Sequence, residues 1–129
     1  MTTLRTEEGV DAGATVPRTR PVSWIKAAVR DFEAFPEAAQ KICPAALTIA
    51  AEAGKADIAQ PMCAMGFGVF EVALQFRTNA FRVVYAVQLA DEIWVVHAFQ
   101  KKSTHGIKTP KREIELIKGR LKRLKEILR

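Results

Sequence analysis

The sequence predicts an α+β fold. A small antiparallel sheet, a three-stranded meander with room for an N-terminal edge strand, packs against an N-terminal helical hairpin and is followed by a basic C-terminal helix. Three observations lead there. Apolar residues recur at helical spacing between Ser23 and Ala53, the period switches to two between Phe70 and Gln100, and it becomes helical again after Pro110. With 129 residues, 49% hydrophobic and 26% charged, the chain is sized for one domain with a real core.

Taken in order, Met1–Arg20 is polar, carries Glu7, Glu8 and Asp11, and has no apolar run. It reads as a disordered tail rather than a secretory signal, with the folded domain expected over 21–129. No uncharged apolar run approaches the roughly eighteen residues of a membrane span. No membrane contact and a cytoplasmic location are therefore expected.

Ser23 to Phe35 has Trp24, Ala28 and Phe32, with Ile25 and Val29, on one stripe, and Ser23 is a candidate N-cap. Val22 and Ser23 are alternatively a short strand. Pro36 breaks this helix and opens a second, about Glu37 to Ala53, with Ile42, Ala46, Ile49 and Ala50 as its expected buried stripe and Gly54 as its C-cap. Pro44 within it costs about 3 kcal/mol, which calls for a bend or a later start. Gly54 to Gly68 reads as a loop.

Phe70, Val72, Leu74 and Phe76 then alternate with polar or small residues, as do Phe81 to Leu89 and Ile93 to Phe99. Turns fall at Arg77–Ala80 and Ala90–Glu92. The final helix, about Pro110 to Leu128, has Thr109 as its N-cap, Pro110 at its first position and Ile114, Ile117, Leu121, Leu124 and Leu128 as its stripe. Gly119 weakens it.

Charge is unevenly placed. Residues 101–129 hold eleven basic and three acidic residues, a net of +8 against +6 for the whole chain. Such an end suits a polyanion, an acidic partner or a solvated helix face. Cys43 and Cys63 lack metal-ligand spacing, and with His97 and His105 they make no zinc set, so neither metal nor cofactor is expected.

Turns centred on Thr78–Asn79 and on Asp91 would place Gln75 opposite Arg82 and Arg82 opposite Gln100. Lys102 would follow on the same face and Glu71 would lie further along it. Arg82 is then either half of an ion pair with Glu71 or a fixed guanidinium for a phosphate. Tyr85 and His97 would face each other on the opposite side as a core pair. Lys101 and the segment after it suit contact with a phosphate backbone. His105 is the histidine expected to be exposed.

Four segments carry a family resemblance: Gly68-Val-Phe-Glu-Val72, Phe81-Arg-Val-Val-Tyr85, Val95-Val-His-Ala-Phe-Gln-Lys-Lys-Ser103 and Thr109-Pro-Lys-Arg-Glu-Ile114. In that order they resemble the RelE/ParE toxin superfamily, in its phage-derived Gp49-like or HigB-type branch. The resemblance implies a type II toxin, partnered by a helix-turn-helix antitoxin and acting as a ribosome-dependent endoribonuclease on mRNA. It places the family's strand arginine on Arg82 and its basic group on Lys101 and Lys102. Many relatives carry arginine where this chain has Ala73.

The mechanism expected is metal-independent attack by the RNA 2′-hydroxyl on the adjacent phosphate. Arg82, Lys102 and Glu71 are the catalytic candidates, while Lys101, Gln100, Gln75 and His105 are the RNA-binding ones. Two alternatives stand beside it: a non-enzymatic toxin that inhibits gyrase, and a degenerate module that only binds its antitoxin.

Overall fold

A computed structural model describes residues 20–128, apart from 53, 63, 64, 67, 78 and 102–108. Expectations for the tail, Cys63, Lys102 and His105 fall outside these described residues. Eight elements follow in order: β1 (Val22–Trp24), α1 (Lys26–Glu33), α2 (Glu37–Ala51), β2 (Ala59–Pro61), β3 (Val69–Phe76), β4 (Asn79–Leu89), β5 (Glu92–Lys101) and α3 (Lys111–Ile127). The sheet order is β1-β5-β4-β3-β2, with β1 parallel to β5 and the other pairs antiparallel.

The meander, helical hairpin and basic helix agree with the sequence, and β1 is the edge strand suspected near Val22. Ser23 therefore caps no helix; its hydroxyl donates to Glu92 on the neighbouring strand, and α1 starts later, at Lys26. The stretch read as a loop from Gly54 to Gly68 contains β2, whose three residues are too few for any period to show. Gly68 has φ of +84°, and an added Cβ would lie 2.9 Å from Gln88 Cγ, so conformation and space both demand glycine there.

Both faces of the sheet are covered. α1 and α2 pack on Val72, Leu74, Phe81, Val83, Tyr85, Ile93 and Val95. α3 lays Ile117, Leu121 and Leu124 against Val69, Val84, Ala86, Val96 and Phe99. On the first face an aromatic run ties β1, α1 and β4 together, with ring centroids 5.0 Å apart for Trp24–Phe32, 5.4 Å for Phe32–Phe35 and 4.7 Å for Phe35–Phe81.

α2 corrects its expected stripe. Ala39, Cys43, Ala46, Leu47, Ala50 and Ala51 face the sheet, while Ile42 and Ile49 are exposed at 41% and 40%. Small side chains let the helix axis approach closely, and that gain outweighs burying the larger isoleucines. The helix continues through Pro44, which lies on its exposed side. Glu52 is the C-cap and Gly54 lies two residues beyond it, its N–H donating to the carbonyl of Ile49 over 2.8 Å.

Two tight turns set the strand register. Phe76 pairs with Asn79 and Leu89 with Glu92, so each hairpin turns in two residues. Arg77, Ala90 and Asp91 all have positive φ, between 52° and 58°, the geometry that matches strand twist. The second turn is thus one residue shorter than Ala90–Glu92. Two further register shifts, between Ala86 and Leu89 and between Val84 and Tyr85, leave Ile93, Trp94 and Val95 on their expected faces and move only His97 to Lys101 to the other face. Arg82 pairs with Phe99 rather than Gln100, and His97 with Val84 rather than Tyr85. A bulge leaves Val96 without a partner, between the pairs Val84–His97 and Tyr85–Val95.

Candidate functional site

β3, β4 and β5 bring Glu71, Arg82 and Lys101 to the face covered by α3. Ala73 lies opposite Arg82, Glu71 opposite Val84 and Lys101 opposite Ala80. All three alternate with residues of the other core, so the period of two that forms the strands also aims these side chains together. Glu71 Oε1 lies 3.7 Å from Arg82 Nε, with each side chain 15% exposed. That is an ion pair at a separation too long for a hydrogen bond. Arg82 Nη1 donates to the carbonyl of Phe81 over 3.2 Å. The guanidinium is thus held on one edge, and Nη2 has no hydrogen bond among the described residues.

Lys101 is 7% exposed. Burial pulls its ammonium pKa below the usual lysine range, the Arg82 cation lowers it further, and Glu71 opposes both. Two cations and one carboxylate therefore share a mostly desolvated patch, where each charge acts more strongly than in water.

Thr109, expected as the N-cap of α3, has another job. Its hydroxyl donates to Glu71 Oε2 over 2.7 Å, and Pro110 takes the cap position one residue later than its expected place. Glu71 thus links Arg82 to the entrance of α3. The chain leaves the site at Lys101 and returns to it at Thr109.

Next along the same face is a buried network that the sequence did not reveal. His97, 3% exposed, has Nε2 2.7 Å from Glu113 Oε1 and Nδ1 2.8 Å from Arg120 Nη1. A guanidinium only donates, so Nδ1 accepts and Nε2 carries the proton toward the carboxylate. Arg120 Nη1 also reaches the carbonyl of Val96 at 3.0 Å and Asp31 Oδ2 at 3.3 Å. His97 is therefore neither in the Tyr85 core pair nor on that face. It stacks instead on Phe99, with centroids 5.2 Å apart.

The remaining candidates are dispersed. Gln75 shares the face of Arg82 but lies opposite Ala80, toward the end of β3, and is exposed. Gln100 is on the opposite face, exposed and hydrogen-bonded to Asn79 Oδ1 at 3.2 Å, so it does not join Arg82. Lys101, and not Gln100, takes that place. Among the described residues no group of three or more His, Cys, Asp or Glu is placed to hold a metal ion. No described helix is long and apolar enough to cross a membrane. A cavity of about 470 Å³ lies at the other end of the sheet, lined by Pro61, Gly68, Phe70, Val87 and Gln88 among others, with no titratable side chain among its described lining residues.

The model of the family described as "Phage derived protein Gp49-like (DUF891)" matches residues 30–122, which run from the second half of α1 through most of α3. The chain belongs to the Gp49-like family. This family is part of the RelE/ParE-like toxin superfamily and points to the toxin of a toxin–antitoxin pair, with an antitoxin as partner. Comparison with curated proteins finds no match, and comparison with solved structures finds none. In this Gp49-like chain the matched region contains Glu71, Arg82, Lys101, Thr109 and the whole His97 network.

Proposed function

We propose that this Gp49-like chain is the toxin of a type II system, an endoribonuclease that cuts mRNA on the ribosome and is silenced by a helix-turn-helix antitoxin, with the toxin domain over residues 21–129. The observation that carries the reading is the convergence of Arg82, Lys101 and Glu71 on one sheet face. RNA brings its own nucleophile, so the protein's task is alignment and charge stabilisation.

In this scheme the Arg82 Nη groups hold the non-bridging oxygens of the scissile phosphate. Glu71 takes the proton of the 2′-hydroxyl as that oxygen attacks phosphorus. Lys101 gives a proton to the departing 5′-oxygen. The products are a 2′,3′-cyclic phosphate and a 5′-hydroxyl end. Lys101 takes the role expected of Lys102 because the strand register aims position 101 at Arg82. Lys102 and His105 remain proposed RNA contacts, as does Gln75 at the edge of the same face.

The test is cleavage of a translated message by purified protein with ribosomes. Arg82→Ala and Lys101→Ala are each expected to reduce the rate by about 10²–10³-fold, the usual cost of losing one stabilising donor. Cleavage at the wild-type rate by both variants would sink the assignment.

One observation favours a second reading, a toxin that inhibits gyrase by binding it. Ala73 is the residue opposite Arg82, so β3 brings no cation to the site, and Glu71 offsets the one that β4 supplies. DNA damage on expression, with messages intact, would select that reading. Normal growth would select a module that retains only antitoxin binding.

A further inference from the structure

A groove runs between the start of α1 and the C-terminal half of α3, on a different part of the surface from the Arg82 cluster. It encloses about 220 Å³ and is lined by Ile25, Ala27, Arg120, Arg123, Leu124 and Ile127. Drug-sized ligands occupy about 300–1,000 Å³. This space is smaller, on the scale of side chains presented by another protein.

Its chemistry is divided. Ile25, Ala27, Leu124 and Ile127 make an apolar floor, and Ile127 is 70% exposed, the most exposed of the large hydrophobic residues among the described residues. The rim is cationic. Arg120 is held in place by Asp31, His97 and the Val96 carbonyl. Arg123 is exposed and has no hydrogen bond or ion pair among the described residues. The helix that carries both has seven basic and three acidic residues, a net of +4 over its 17 positions.

We propose that this groove docks a segment of a partner protein that presents aliphatic side chains to the floor and carboxylates to Arg120 and Arg123. An apolar centre with a charged rim is the usual division of labour at a protein interface. Nucleic acid fits less well. Phosphates would satisfy the arginines, but among the described residues no aromatic side chain lines the groove to stack a base, and the apolar floor would go unused. The toxin reading enters only in naming the partner, which on that reading is the antitoxin.

The test uses the full-length, isotope-labelled protein and two synthetic helical peptides. One carries leucines at i, i+3 and i+7 flanked by glutamates, and the other replaces every glutamate with glutamine. Backbone amide shifts on adding the acidic peptide are expected at Ile25, Ala27, Leu124 and Ile127. Affinity is expected to fall about tenfold or more for the glutamine peptide, for Arg123→Gln and for Ile127→Ser. Both substituted residues are exposed, and circular dichroism is the check that each variant folds. Equal binding of the two peptides, no binding, or shifts centred on Arg82 and Lys101 would overturn the proposal. So would a single-stranded RNA oligonucleotide that moves the Ile25 and Ile127 signals more than the acidic peptide does. Arg82→Ala should bind the peptide as the parent does, so the docking result and the cleavage result stand or fall separately.

Discussion

Glu113 accepts a 2.7 Å hydrogen bond from His97, which fastens the first turn of α3 to the middle of β5. The other ring nitrogen accepts from Arg120, so one buried imidazole spans two positions of the helix, two turns apart. His97→Phe keeps the stack on Phe99 but leaves a carboxylate and a guanidinium without their partner. Hydrogen bonds to charged groups contribute about 1.5–3 kcal/mol each, and a loss of about 2–4 kcal/mol is expected in urea unfolding. Glu113→Gln should cost less, because its amide oxygen still accepts from Nε2.

Lys101 should trade stability for activity. Its folded-state pKa lies below its unfolded value, so the unfolded chain binds this proton more tightly. The charged form therefore costs stability at neutral pH. That cost is relieved as pH rises through the lowered pKa toward the ordinary lysine value. Lys101→Met should raise the melting temperature at pH 7 and flatten the rise of stability with pH over that alkaline window. In the cleavage assay the same variant should lose activity.

Tyr85 is 1% exposed, and its hydroxyl has no hydrogen-bond partner among the described residues. Burial raises its pKa, and the neighbouring Cys43, itself pushed up to about 12 by burial, adds to the effect. Tyr85→Phe removes an unsatisfied polar atom while keeping the stack on Phe70 at 5.5 Å. The variant should gain about 1 kcal/mol or more, since an unpaired buried group costs about 1–3 kcal/mol. A loss of stability in thermal unfolding would show that the hydroxyl has a partner.

Gly119 lies inside α3, and a Cβ built there meets nothing within 4 Å. Gly119→Ala should therefore gain about 1 kcal/mol, the difference in helix propensity. Its peptide-docking affinity should match that of the parent protein.

Ala90 holds φ of 52° in the β4–β5 turn, a conformation that costs a residue with a Cβ about 1–2 kcal/mol. Ala90→Gly removes that strain at some cost in unfolded-chain entropy, for an expected net gain of about 0.5 kcal/mol in thermal unfolding.

What was legible in the sequence, and what was not, follows from the range of each interaction. The strands, the hairpin helices and α3 are written in local periodicity, and the shared face of Glu71 and Arg82 follows from that period together with the phase of the β3–β4 turn. The exact partners do not. The second turn contains no glycine to announce two consecutive positive φ values, so its length read one residue too long. The bulge at Val96 is equally silent in the sequence, and it separates Gln100 from Arg82 and His97 from Tyr85. Ile42 and Ile49 misled because hydrophobicity alone does not say how closely a helix must approach its sheet. The contact between Arg120 and Asp31 joins residues 89 positions apart, and no local pattern encodes such a meeting.

The bulge at Val96 selects, from a distance, which ammonium group the cluster receives. Five residues separate Val96 from Lys101, roughly 17 Å of extended strand whose pairing is unbroken. Along that length the choice of face is transmitted without attenuation, because alternation has only two phases. Without that bulge, alternation would present Lys102 to the face of Arg82 and swing Lys101 to the far side. Adjacent lysines thus make the charge of the cluster tolerant of a one-residue slip in this strand, although its geometry is not.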